Sequence, residues 1–127
     1  MTTIAHLSKP VILVVEDDAL LRMTTAEVLE GAGYGVVQAE NADEALDVLK
    51  NTDQVDIVFT DIQMPGTMDG LELAQTVRDK WPPICLVVTS GRLVATKAQT
   101  SLKGNFLHKR YQVWELVSAM EECLCPN

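Results

Sequence analysis

Carboxylates, hydroxyls and one ammonium recur in this chain just where apolar runs end. Glu16 and Asp17 follow VILVV (Val11 to Val15), and Asp61 closes the run Ile57-Val58-Phe59-Thr60. Thr89 and Ser90 follow the run that starts at Ile84, and Lys109 follows Asn105 to His108. Gathered at one end of a sheet, three carboxylates repel one another. A hard divalent cation with oxygen ligands relieves that repulsion, and so does a fixed positive charge. Mg²⁺ suits a site with a few carboxylates that keeps several waters and meets a phosphate. Lys109 would supply the compact positive charge. The chemistry this set favours is phosphoryl transfer, whose loose transition state asks for positioning and charge neutralisation. A carboxylate can itself be the nucleophile, giving an aspartyl-phosphate.

The elements that must position these groups are legible in the pattern of apolar residues. Val11 to Val15 is continuous and β-branched, as in a strand covered on both faces. Leu21, Val28, Leu29 and Ala32 then share one face of a helix that stops at Gly31 and Gly33. Tyr34 to Gln38 is a second strand. Asn41-Ala-Asp-Glu44 opens a second helix with a near capping box, and Ala42, Ala45, Leu46 and Leu49 line it. Val55 to Gly70 (VDIVFTDIQMPGTMDG) holds the third strand, a Pro65-Gly66 turn, and Asp69 as the cap of a third helix. Leu73, Val77 and Trp81 lie along that helix, which stops before Pro82-Pro83. Ile84 to Thr89 is the fourth strand and Asn105 to His108 the fifth. Val113, Leu116, Val117, Met120 and Leu124 give a strongly amphipathic last helix.

Five alternations of strand and helix predict an α/β fold, a doubly wound five-stranded parallel sheet with helices on both faces. Right-handed crossovers favour the flavodoxin-like strand order 2-1-3-4-5, which puts the switch point between strands one and three. Glu16, Asp17 and Asp61 then meet. Taken singly, each residue has a plain explanation: strand-end acids cap helices and make turns, and serines and lysines populate loops. The joint occurrence at the ends of strands one, three, four and five is what points to a site.

The whole chain narrows the classes. Its 127 residues, 47% hydrophobic, suit one domain with a real core, read as a single unit over 1–127 with residues 1–9 as an extension and no output domain. A net charge of −8 argues against a nucleic-acid or membrane-surface binder, which needs a basic face. No run approaches a membrane span, and Met1 to Pro10 lacks the features of a signal peptide. The three cysteines match no metal spacing or even disulfide set; Cys85 reads as a small hydrophobe, Cys123 and Cys125 as thiols near the end, and the protein as reduced and cytoplasmic.

With these residues in view, the chain resembles the response-regulator receiver domains of two-component signalling (CheY-like), over nearly its whole length. The resemblance is carried by Glu16-Asp17 after VILVV, Asp61 in FTDIQMP, the following MDGLEL, Thr89-Ser90-Gly91, and Lys109. It implies that Asp61 is the phosphate acceptor. Asp17, Asp61 and the backbone carbonyl of Gln63 would ligate Mg²⁺ directly, and Glu16 through water. Lys109 would contact the phosphoryl group. Ser90, preferred over Thr89 because small Gly91 follows it, would be the switch hydroxyl, and Phe106 stands at the coupled switch aromatic. Gln63 and Arg92 flank the site where family members tune phosphate lifetime. The implied protein is not an enzyme with a separate substrate. It takes a phosphoryl group from a histidine kinase or phosphotransfer protein, assists its own phosphorylation and dephosphorylation, and signals by contact with a downstream protein as a monomer or weak dimer.

Three positions depart from the family. Arg110 replaces the proline that usually follows the lysine with a cis bond; because a non-proline cis bond costs about 2.5–4 kcal/mol, a trans Lys109–Arg110 bond is expected. The segment between Ser90 and Lys109 is short, so the fourth of the five expected helices should be stunted or irregular. Phe106 lacks the hydroxyl of the commoner tyrosine. These departures motivate an alternative, a receiver-like docking module with weak or no phosphorylation. Two other classes fail on residues. A phosphatase of the haloacid dehalogenase type needs a second Asp where Gln63 stands, and a dinucleotide site needs glycines where strand one is followed by acids.

Overall fold

The computed structural model describes residues 9–62, 70–90, 105–108 and 111–124, the side chains of Ser90, Asn105 and His108 excepted. Along these residues the chain runs β1 (Val11–Val15), α1 (Ala19–Gly31), β2 (Gly35–Ala39), α2 (Ala42–Asn51), β3 (Ile57–Asp61), α3 (Gly70–Lys80), β4 (Cys85–Ser90), β5 (Asn105–His108) and α4 (Val113–Leu124). The expected short helix between the fourth and fifth strands, the Pro65-Gly66 turn and the Asp69 cap lie outside the described residues.

The strands form one parallel sheet in the order β2-β1-β3-β4-β5, as the sequence pattern predicts. Alternation along each strand divides the core in two. Leu13, Val15, Val58, Leu86 and Val88 face α2 and α3, where Ala45, Leu49, Leu73 and Val77 seal the layer. Ile12, Val14, Ile57, Phe59 and Val87 face α1 and α4, against Leu29, Leu116, Ala119 and Met120. Asp56 fixes the start of the sheet: its Oδ2 accepts from Val11 N at 2.8 Å, and its own N–H donates to the Val11 carbonyl.

Local chemistry sets the helix starts. Asp18 caps α1, accepting from Leu21 N at 3.1 Å. Asn41 caps α2 by accepting from Glu44 N, while the Glu44 carboxylate accepts from Glu40 N rather than from the cap's own amide. The near capping box is therefore displaced by one residue.

Three sequence expectations are corrected. Strands β2 and β4 each begin one residue later than read, at Gly35 and Cys85. The inner stripe of α4 is Leu116, Ala119 and Met120, with Cys123 packed beside it. Val113 and Leu124, read as part of that stripe, are exposed. The stripe's i, i+3, i+4, i+7 spacing begins at 116 rather than 113, and it turns Cys123 toward the sheet. Cys123 bonds to Cys85 at the start of β4, across a Cα–Cα distance of 5.8 Å. The reading of Cys85 as a plain hydrophobe and of Cys123 as a thiol is thereby overturned.

Candidate functional site

The parallel register places the acid-bearing strand ends side by side. Val15 lies opposite Thr60, so Glu16 and Asp61 are the next residues out on neighbouring strands. Both are almost fully buried, Glu16 at 6% and Asp61 at 5% exposure. The backbone beneath them is tied down: Glu16 N donates to the Ala39 carbonyl at 3.0 Å, and Ile62 N to the Thr89 carbonyl at 3.0 Å. Thr60 Oγ1 donates to the Asp61 carbonyl. A Cβ on Gly70 would collide with that same carbonyl, so the first turn of α3 approaches the end of β3 as closely as it does because residue 70 is glycine.

Asp17, one residue past Glu16, is exposed. Among the described residues no three His, Cys, Asp or Glu side chains form a ready-made metal cluster. Of the three carboxylates expected to meet here, Glu16 and Asp61 are buried at adjoining strand ends and Asp17, the next residue, is exposed. Mg²⁺ does not require three. It is commonly held by one or two carboxylates and keeps waters for the rest, and the all-oxygen donors here fit that habit.

Arg22 is the residue that sequence reasoning missed. Its Nη1 donates to the Glu16 carbonyl at 2.9 Å, and its Nε to Gln38 Oε1 at 3.3 Å, linking the end of β1 to β2 through α1. The Glu16 carboxylate, through Oε2, accepts from Asp18 N at 3.1 Å. The available signal was spacing: Arg22 follows capping Asp18 by one helical turn, so its side chain returns to the strand end.

On β4, Thr89 is the register partner of Asp61, and Ser90 follows it opposite His108 of β5. Thr89 is 3% exposed, and its Oγ1 finds no hydrogen-bond partner among the described residues. A buried hydroxyl in that condition costs about 1–3 kcal/mol, which an acceptor arriving beside Asp61 would recover. Phe106, on β5, is half-buried and packs against the core layer under α2 and α3. Gln63, Arg92, Lys109 and the Lys109–Arg110 bond lie outside the described residues, as does the Ser90 side chain.

Residues 12–121 match the family model of the response regulator receiver domain. The chain belongs to this family. It is 32% identical to the sensor kinase CckA of Brucella abortus over 117 residues, which are 89% of this chain and 12% of that protein. It is also 32% identical to the transcriptional regulatory protein PdtaR of Mycobacterium tuberculosis, over 87% of this chain and 54% of that one. Among solved structures, the response regulator TrrA of Thermotoga maritima in complex with Mg²⁺-BeF superposes with a TM-score of 0.81 at 28% identity, covering 90% of this chain and 98% of that one. The chain therefore spans between about an eighth and about half of the two curated relatives named. Among the described residues no helix is long and apolar enough to cross a membrane.

Proposed function

We propose that this receiver domain accepts a phosphoryl group on Asp61 from a phosphohistidine of a histidine kinase or phosphotransfer protein, and that it works in the cytoplasm. The observation that carries the reading is the pairing of buried Asp61 with buried Glu16 at the switch point of the sheet. An Asp61 carboxylate oxygen attacks phosphorus, the phosphorus–nitrogen bond of the donor breaks, and the donor imidazole keeps the electron pair. Asp17, Asp61 and the Gln63 carbonyl would hold Mg²⁺, with Glu16 acting through water; the bound ion supplies charge neutralisation at the phosphoryl oxygens. Arg22 keeps the end of β1 in place while this happens. Lys109, next in sequence after β5, would contact the phosphoryl group.

Ser90 is the hydroxyl that follows the phosphoryl oxygen, with Phe106 coupled to it, and the readout is contact with a downstream protein. Thr89 is the competing choice, supported by its register with Asp61 and by a buried hydroxyl without a partner among the described residues. Transfer from a ³²P-labelled phosphohistidine protein, followed by amide shifts of the phosphorylated domain, tests the whole reading. Wild type should take up label and shift; Ser90→Ala should take up label with a blunted shift. A blunted shift in Thr89→Ala instead would move the switch to Thr89. Labelling of neither wild type nor variant would favour a docking module, the reading that Arg110 and the short segment before Lys109 support.

A further inference from the structure

The bond between Cys85 and Cys123 joins the sheet to the last helix. Cys85 opens β4 and Cys123 lies in the last turn of α4; their Cα atoms are 5.8 Å apart, well inside the span a disulfide bridges without backbone movement. Both residues are half-buried at the edge of the core layer under α1 and α4, so small thiols and disulfides can reach them. Their separation of 38 residues encloses Thr89, Ser90, Phe106 and Lys109. Whatever tightens this bond therefore closes a ring around the β4–β5–α4 half of the domain. A 127-residue chain with two packed core layers is not among the small domains that need a staple in order to fold. In a reducing compartment such a pair is held open by the thiol pool and closes under oxidation.

We propose that Cys85 and Cys123 form a thiol–disulfide switch, set by small disulfides and dithiols, that governs how firmly α4 is held against β4. It rests on the cytoplasmic assignment above but not on phosphorylation. Closure takes two exchanges. One cysteine thiolate attacks a sulfur of oxidised glutathione and expels one glutathione thiolate. The second cysteine thiolate then attacks the newly bonded cysteine sulfur and expels the other. Two protein thiols and one glutathione disulfide become one protein disulfide and two glutathiones; a dithiol reductant reverses the sequence.

The test equilibrates the full chain in glutathione buffers from fully reduced to fully oxidised, quenches with N-ethylmaleimide, and maps the peptides by mass. In reduced buffer all three cysteines should be alkylated. In oxidised buffer only Cys125 should be, with the Cys85 and Cys123 peptides linked. Hydrogen exchange on the same samples should slow in α4 at least about ten-fold on oxidation. Cys125→Ser should keep the link and the slowing; Cys123→Ser should lose both and exchange at the reduced rate in either buffer. A link that uses Cys125, a pair that stays closed or open at every ratio, or equal exchange in the two states would each overturn the proposal. None of these readouts requires a phosphoryl group, so a failure here leaves the Asp61 reading standing, and the converse holds.

Discussion

The two faces of the sheet are held in different ways. Under α2 and α3 the layer is closed by side chains alone: Leu13, Val58, Leu73 and Val77 are fully buried, and α2 carries a well-formed cap. Under α1 and α4 packing is supplemented by a covalent bond and an edge-on contact between Phe59 and Tyr111, with ring centroids 6.0 Å apart. Clefts do not separate the two sides: one of about 200 Å³ runs between α1 and α4, lined by Leu21, Val28 and Tyr111 among others, and one of about 280 Å³ lies beside the starts of β3 and β4, lined by Val55, Trp81 and Ile84 among others. Exposed apolar surface does. Leu20, Met23, Val113 and Trp114 stand exposed on α1 and α4. A helix that spends part of its apolar surface on solvent seals the sheet less completely, and a crosslink at its far end supplies what packing does not.

If that contrast is right, opening the crosslink has the largest effect on stability. Closing a loop of 38 residues removes unfolded-state entropy corresponding to about 4 kcal/mol at 25 °C in the chain-entropy account. Chemical denaturation of Cys123→Ser, against oxidised wild type, should approach that difference and match wild type in dithiothreitol. Leu73→Ala, on the sealed face, should cost about 3 kcal/mol whatever the redox state, because the cavity it leaves has no neighbour free to fill it. A loss of equal size in both redox states for the two variants would erase the distinction between the faces. Asn41→Ala removes the cap of α2 and should cost about 1 kcal/mol by the same measurement. Trp114→Ala, 68% exposed on α4, should stay within about 0.5 kcal/mol. A much larger loss there would mean that Trp114 is packed in solution.

The sheet was readable because its strands are continuous apolar runs that only a doubly covered position explains, and helices between them force a parallel order. The acids of β1 and β3 were readable for the same reason: a carboxylate that ends such a run has few ordinary places to go. Glu16 and Asp61 are indeed neighbours, while Asp17, one residue further, is exposed. The crosslink was not readable. It depends on which of two overlapping stripes α4 turns inward, 113/116/117/120/124 or 116/119/120/123, and residue type favours neither. Tertiary packing decides between them, and only then does Cys123 face Cys85. Arg22 was partly hidden: its spacing from Asp18 returns it toward the strand end, but does not show which carbonyl it will reach. The one-residue shifts of β2 and β4 reflect hydrogen bonding that begins after Tyr34 and Ile84, although both side chains still pack against the core.

The central claim is that Asp61 is a Mg²⁺-assisted phosphate acceptor, and intact-protein mass after incubation with acetyl phosphate tests it most directly. Wild type should gain one phosphoryl group in Mg²⁺ and none in EDTA, and Asp61→Ala should gain none in either. An adduct of equal yield in Asp61→Ala, or none in wild type after rapid trapping, would contradict it.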